Sequence, residues 1–287
     1  MADGKHQRWL ANIRGFSRRF ARNRGAVVAV IFILCLVLSA VFAPLLSPHD
    51  PYDISDRLLT PPSRAHLMGT DELGRDILSR IIYGGRVSLQ VGLISVSISL
   101  TIGGLFGLIA GYLGGGVDNV IMRGVDIMLA FPGILLALSI VAILGPSLMN
   151  VMIAIGVGGI PGYVRVVRGS TLAVRQNEFV EAARALGTST QGIIFRHILP
   201  NVVAPVIVLS TLGVAGAILA TSGLSFIGLG APPPTAEWGG MLASARIYLR
   251  RAWWMATFPG VFITLTVLAI NIVGDGLRDA LDPRLKV

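Results

Sequence analysis

Cysteine occurs once in this chain of 287 residues, lysine twice, and three stretches of more than thirty residues contain no Asp, Glu, Lys or Arg at all. Each shortage excludes a class of chemistry. The lone Cys35 lies inside an apolar run, so it can form no intrachain disulfide and no thiolate cluster, and it says nothing about redox compartment. Neither Lys5 nor Lys286 follows a glycine-rich loop or precedes Ser or Thr. There is therefore no P-loop, and no ATP hydrolysis is expected of this chain. The histidines, His6, His49, His66 and His197, are far apart, and none pairs at metal-ligand spacing, so no metal site is expected. No Gly-x-Ser-x-Gly or His-Glu-x-x-His occurs, and no catalytic residue is assigned. The uncharged stretches are 87–117, 127–164 and 198–236. Carriers coupled to protons or ions usually bury ionisable groups at mid-membrane, so this pattern argues against coupling through titratable side chains. Sodium held by carbonyls and hydroxyls stays open.

What the chain has in abundance is apolar sequence. Hydrophobic residues make up 53% and charged residues 14%, with a mean hydropathy of +0.74, which is too apolar for an ordinary soluble domain. Six runs stand out, at 26–46, 87–113, 127–144, 148–164, 202–224 and 252–273. Each approaches or exceeds the ~17 to 25 residues that a helix needs to cross a bilayer core of about 30 Å. The expected fold class is an all-α membrane protein with six transmembrane helices.

The formal charge of +9 could suggest nucleic acid, but the loops account for it better. Lys5, Arg8, Arg14, Arg18, Arg19, Arg22 and Arg24 precede the first run. With the N-terminus in the cytoplasm, most of the remaining basic residues fall on that side too, while the acids divide almost evenly. This is the positive-inside pattern; it places both termini in the cytoplasm and removes the need for a nucleic-acid partner. Trp9, Ile13, Phe16 and Phe20 recur at helical spacing among these arginines, as expected of a helix lying on the lipid surface. A secretory signal cleaved after Val41-Phe42-Ala43 is the competing reading. The apolar run exceeds the ~7 to 15 residues of a signal core, so an uncleaved anchor is expected.

The segment 47–86 opens with Pro48, Pro51, Pro61 and Pro62 and is expected to be external and extended. Leu73, Ile77, Leu78, Ile81 and Ile82 form an apolar stripe at its end, lying along the outer face or leading into the second span. Asp71, Arg75 and Asp76 are expected to form local surface ion pairs, which are worth little by themselves. Gly103, Gly107 and Gly111 predict close approach of another helix. Pro132 predicts a kink in the third span, and Gly145-Pro146-Ser147 a tight turn into the fourth. Gly156, Gly158, Gly159, Pro161 and Gly162 predict a loosened or irregular end to that fourth span. In the second external segment, 228–255, Trp238, Trp253 and Trp254 are expected to anchor at the membrane interface. Contact with an external partner or an outer gate is the sharper alternative for them.

One long arginine-rich hydrophilic interval, 165–201, separates two apolar runs. Phe179, Ala182, Ala183 and Leu186 share a helical face there, with Glu178, Glu181 and Arg184 off it. Gly187 can take the left-handed conformation that ends such a helix. Thr188 with Gln191 reads as a capping box that starts a second short helix carrying Ile193, Ile194 and Ile198. Spacing alone also fits a solvated amphipathic connector.

Glu181-Ala182-Ala183, then Gly187 and Leu199-Pro200, resembles the EAA loop of ABC-importer permeases, which docks on the ATPase subunit. His197 stands where that family has an apolar residue, and Ile198 follows it. The run Gly69-Thr70-Asp71, Gly74-Arg75-Asp76, Ser79-Arg80, Gly84 and Arg86-Val87-Ser88-Leu89 resembles one of the two permeases of the dipeptide, oligopeptide and nickel import family. The ending 274–284 is similar to that family as well. The resemblance implies a type I importer permease in a bacterial cytoplasmic (inner) membrane. Partners would be a second homologous permease, two cytoplasmic ATPase subunits that bind ATP and Mg, and an extracytoplasmic substrate-binding protein, all in a lipid bilayer. It implies a coupling surface of Glu178, Glu181, Ala182, Ala183, Leu186 and Gly187, with no cofactor in this chain. The organisation that follows is a cytoplasmic segment 1–25, a first span with its external segment at 26–86, a transmembrane domain at 87–280 containing the coupling loop, and a tail at 281–287. Cargo and substrate-binding residues are unassigned. A membrane-embedded enzyme and a non-transporting scaffold remain alternatives, separable by activity without partners and by indifference of uptake to loss of the loop.

Overall fold

The computed structural model describes residues 20–281. The surface helix expected within 5–24 and the tail after 281 lie largely or wholly outside these residues. Helix α1, Arg24–Val41, starts where the Asn23 side chain accepts a hydrogen bond from Ala26 N at 3.1 Å. The first apolar run is not one rod, because the chain turns at Phe42 into a short α2, Ala43–Leu46, with Pro44 in its first turn. An irregular segment then leads to α3, Ile77–Leu113. Asp76 caps α3, its Oδ2 accepting from Ser79 N at 2.8 Å. The stripe thus leads into the second span, which begins ten residues earlier than the apolar run, although Leu73 lies outside the helix and is exposed.

Gly114 and Gly115, at φ of +70° and +57°, turn the chain into α4, Gly115–Leu129. Helix α5 is Gly133–Leu144, and the two meet at 86°. The kink expected at Pro132 is therefore a full break. Proline has no N–H to donate and disfavours helical geometry at Phe131, so neither helix can run through the other. Among the described residues five helices are long and apolar enough to cross a membrane, and the bent pair makes a sixth only if α4 and α5 count as one span.

Helix α6, Leu148–Arg175, corrects the expectation of a loosened end to the fourth span. It runs without interruption through Pro161, and the arginine-rich start of the 165–201 interval is its last turns. Its stability comes from α3, which it follows in parallel. Ser95 Oγ donates to Met152 O at 3.0 Å and Ser99 Oγ to Gly156 O at 2.6 Å. Further along, a Cβ on Gly103, Gly107 or Gly111 would lie 2.8 Å from the carbonyl oxygen of Ile160, Val164 or Arg168 respectively. The two backbones touch where those side chains are missing, as close packing in lipid requires.

The remaining elements are α7, Glu178–Ala185; α8, Thr190–Ile193; a π-helical turn, Ile194–Ile198; α9, Leu199–Phe226; α10, Trp238–Ala245; and α11, Trp254–Leu281. Gly276 of α11 packs on Ala26 of α1, and Gly274 on Leu212 of α9. At the opposite end from α7, a core of Ile77, Ile81, Trp238, Met241, Trp254 and Met255 joins the irregular segment to α3, α10 and α11.

Two expectations about that end are overturned. Trp238 and Trp254 are core residues and not interface anchors, since each indole finds a carbonyl inside the fold. Trp238 Nε1 donates to Ile81 O at 3.0 Å and Trp254 Nε1 to Thr70 O at 3.1 Å, leaving Trp253 alone of the three exposed. Asp71, Arg75 and Asp76 do not form surface pairs either; all three are buried. Asp71 Oδ1 accepts from Leu73 N and Arg75 N at 2.9 Å, and Oδ2 from Arg75 Nε at 2.7 Å. A buried carboxylate holding that many donors is satisfied, which is what permits its burial.

Candidate functional site

The 165–201 interval is held from below by ion pairs that the sequence did not single out. Arg168 reaches both oxygens of Asp118, at 2.5 and 2.6 Å, and Arg165 Nη2 lies 2.9 Å from Asp126 Oδ1. These tie α4 to the last turns of α6. The Arg175 guanidinium stands 5.9 Å from the centre of the Tyr112 ring at the end of α3. Arginines at helical spacing on 165, 168 and 175 were visible; that the first two pair with acids some forty to fifty positions back was not.

Helix α7 then turns back on the bundle. Glu178 and Glu181 occupy its first turn and Arg184 its last, each favourably placed against the helix dipole. Val180 is wholly buried, packed with Tyr112, Val167, Ile193, Ile198 and Val202, where α3, α6 and α9 converge. Burying a side chain of that kind contributes on the order of 2 kcal/mol, enough to seat a helix this short. The face expected to be apolar is split by this seating. Ala183 points inward beside Val180, whereas Phe179, Ala182 and Leu186 form an outward stripe, with Leu186 86% exposed. Glu178 and Glu181 flank the stripe and are exposed too.

The end of α7 follows from glycine. Gly187 N donates to Arg184 O at 3.0 Å and Thr188 N to Ala183 O at 3.1 Å, with Gly187 at φ +76°. This is the Schellman closure, in which the residue after the cap is left-handed. Apart from the adjoining residues, no atom lies within 4 Å of where a Cβ on Gly187 would stand, so backbone conformation and not space demands the glycine.

The second short helix is capped by Ser189 and not by Thr188. Ser189 Oγ accepts from Gly192 N at 3.2 Å, and the capping box does not form because the left-handed turn sets the first helical residue at Thr190. Ile193 and Ile198 are buried as expected. The π turn explains His197: a π turn takes in one extra residue, so the inward position falls to Ile198. His197 lies half-buried against Phe179, ring centres 6.2 Å apart. All six residues of the expected surface are thus on or next to α7, five facing outward and Ala183 inward.

Between α1, α3, α9 and α11 lies an open cavity of about 900 Å³. Its walls are mostly aliphatic, with Gln90, Ser97, Ser210 and Thr211 as polar points and Arg86 among its lining residues. Arg86 donates to the carbonyls of Ala40 and Val41, which fixes the guanidinium to the end of α1.

The comparisons with known proteins agree with one another. Residues 103–287 match the family of the binding-protein-dependent transport system inner membrane component, and residues 13–62 match the N-terminal TM domain of oligopeptide transport permease C. The di/tripeptide transport system permease protein DppC of Pseudomonas aeruginosa is 51% identical over 281 residues, covering 96% of this chain and 93% of that protein. The glutathione transport system permease protein GsiD of Pectobacterium atrosepticum is 48% identical, covering 95% and 91%. Among solved structures, a chain of the inward-facing MetNI methionine ABC transporter aligns with a TM-score of 0.59 at 18% identity, covering 71% of this chain and 97% of that one, a likeness of fold alone. With the family match extending over more than half of its length, the chain belongs to the binding-protein-dependent transport system inner membrane components.

Proposed function

We propose that this chain is the permease subunit of an ATP-driven importer of short peptides or a closely related small solute. The observation that carries the reading is the outward stripe of Phe179, Ala182 and Leu186, held on a helix that Val180 plugs into the junction of α3, α6 and α9. An ATPase docked on that stripe would push on three long helices at once. The relatives' names supply the peptide class. A second, homologous permease completes the path, with the cavity between α1, α3, α9 and α11 as one wall. Two cytoplasmic ATPases bind ATP and Mg, and an extracytoplasmic binding protein delivers cargo. The end of the bundle bearing α7 and the described chain ends then faces the cytoplasm, and the membrane is the bacterial inner membrane. ATP-driven closure of the ATPases moves α7 and alternates the open side of the path. In this scheme Glu181 pairs at the docking surface, Ala182 allows close approach, and Gly187 makes the bend.

Affinity co-purification from mild detergent, followed by an ATPase assay and peptide uptake, tests this. The wild-type chain should bring an ATPase and a second permease. Phe179→Asp with Leu186→Asp should release the ATPase while keeping the second permease, and Gly187→Trp should abolish uptake from protein that still inserts. Normal uptake by both variants would overturn the coupling assignment.

A further inference from the structure

His49, His66 and Asp76 are distant in sequence, and the structure draws them together at the end of the bundle remote from α7. One ligand-type atom from each lies within 4.8 Å of the others. His66 Nδ1 is 2.9 Å from Asp76 Oδ1, His49 Nδ1 is 3.7 Å from the same oxygen, and the two imidazole centres are 4.7 Å apart. We propose that these three side chains form a binding site for a divalent transition-metal ion of the zinc type.

The donor set suits such an ion, since two imidazoles and one carboxylate are the ligands of three-residue zinc sites whose remaining position is taken by water. Around a tetrahedral ion with bonds of ~2.0 Å, ligand atoms stand about 3.3 Å apart. The Asp76 distances of 2.9 and 3.7 Å bracket that value. His49 has 42% of its side chain exposed and is free to close the rest; its open side leaves room for water.

The surroundings orient the carboxylate and anchor the backbone of both histidines. Ser79 N and Ser79 Oγ donate to Asp76 Oδ2, at 2.8 and 2.7 Å, which leaves Oδ1 facing the histidines. The same Ser79 Oγ accepts from His49 N at 3.1 Å, and Ser63 Oγ accepts from His66 N at 3.2 Å. Outer partners such as those of the Asp76 carboxylate fix ligand geometry in metal sites. His66 meets the metal through Nδ1, with its ring proton carried on Nε2. The positive end of α3 opposes a cation, so the charge on Asp76 is essential to binding. The bound ion would tie the loop after α2, the loop before Gly69 and the N-terminus of α3 into one unit. This reading is independent of the transport scheme, because its readout is metal content.

The experiment uses the full chain with its co-purifying subunits, isolated through a histidine-free tag, stripped with chelator, equilibrated with Zn²⁺ and analysed by mass spectrometry for bound metal. The expected result is about one Zn²⁺ per permease chain and a rise in its thermal midpoint. Asp76→Asn, which keeps a good helix cap, and His49→Ala should each lose both effects, and Ser79→Ala should weaken binding by about 10- to 100-fold. His197→Ala should leave both zinc effects in place. The exposed His49 decides the matter even if Asp76→Asn folds poorly. Absence of stoichiometric Zn²⁺, or equal uptake by His49→Ala, would overturn the site and leave a hydrogen-bonded helix cap.

Discussion

Glu237, at the N-terminus of α10, is almost wholly buried, and its two oxygens accept from Gly239 N at 2.8 Å and Gly240 N at 2.7 Å. Burial raises its pKa above the ordinary carboxylate value, and the two backbone donors offset only part of that rise. An acid whose pKa is higher folded than unfolded stabilises the fold fully below its unfolded value, and that contribution is lost as pH rises through the folded value. The thermal midpoint of the detergent-solubilised protein should therefore fall as pH climbs above the usual carboxylate range, and Glu237→Gln should flatten the slope. Midpoints measured across that range decide it; parallel slopes would assign the pH dependence elsewhere. Charge at this position was legible as a residue type, but its depth was not, because neighbouring Trp238 has the look of an interface anchor until its indole is seen to donate to Ile81 O.

At the scale of elements, the parallel pair of α3 and α6 sets the geometry of everything around α7. A leucine at Gly107 would meet Val164 O and Val167 Cβ, each 2.8 Å from its first side-chain atom, so the helices must part. Overpacking of this kind costs about 1–3 kcal/mol, and here it falls on a carbonyl oxygen and a Cβ, neither of which can turn aside without moving the backbone. Gly107→Leu should lower the thermal midpoint and the monodisperse yield. Gly104→Leu, whose nearest neighbour is Leu100 on its own helix, should leave both near wild type. The glycine spacing announced this contact because lipid offers helices no other reason to approach so closely. The partner helix, its parallel direction, and the continuation of the same face through Ser95 and Ser99 were not announced, since they depend on a segment more than fifty positions away. Helix α7 shows the same division. Its existence and its glycine closure follow from local chemistry. Which of its alanines faces inward depends on Val180 finding a place among residues of three other helices. The two histidines near Asp76 met only through the folding of a proline-rich loop, a path no periodicity describes.

For the whole molecule the open question is whether α4 and α5, bent by 86°, carry the chain across the membrane or dip in and return. The direction of α6 favours a crossing. Met152 lies beside Ser95 and Thr171 beside Gly111, so α6 starts level with residues near Val91 of α3 and runs the same way. From that level to Leu113 is about 33 Å at 1.5 Å per residue, roughly the thickness of a bilayer core. The chain between Leu113 and Leu148 climbs that whole distance, which is what one broken crossing requires, and the prediction is that the pair is one. Thiol labelling tests this, and the single Cys35 makes it simple: Cys35→Ser gives a background without cysteine. In that background Gly116→Cys and Pro146→Cys mark the two ends of the pair at exposed positions, and Asp56→Cys marks the loop between α2 and α3. In intact cells a membrane-impermeant maleimide should label Pro146→Cys and Asp56→Cys, and it should reach Gly116→Cys only after permeabilisation. If Pro146→Cys instead behaves like Gly116→Cys, the pair is re-entrant, the chain crosses an odd number of times, and the shared side of its two ends is lost.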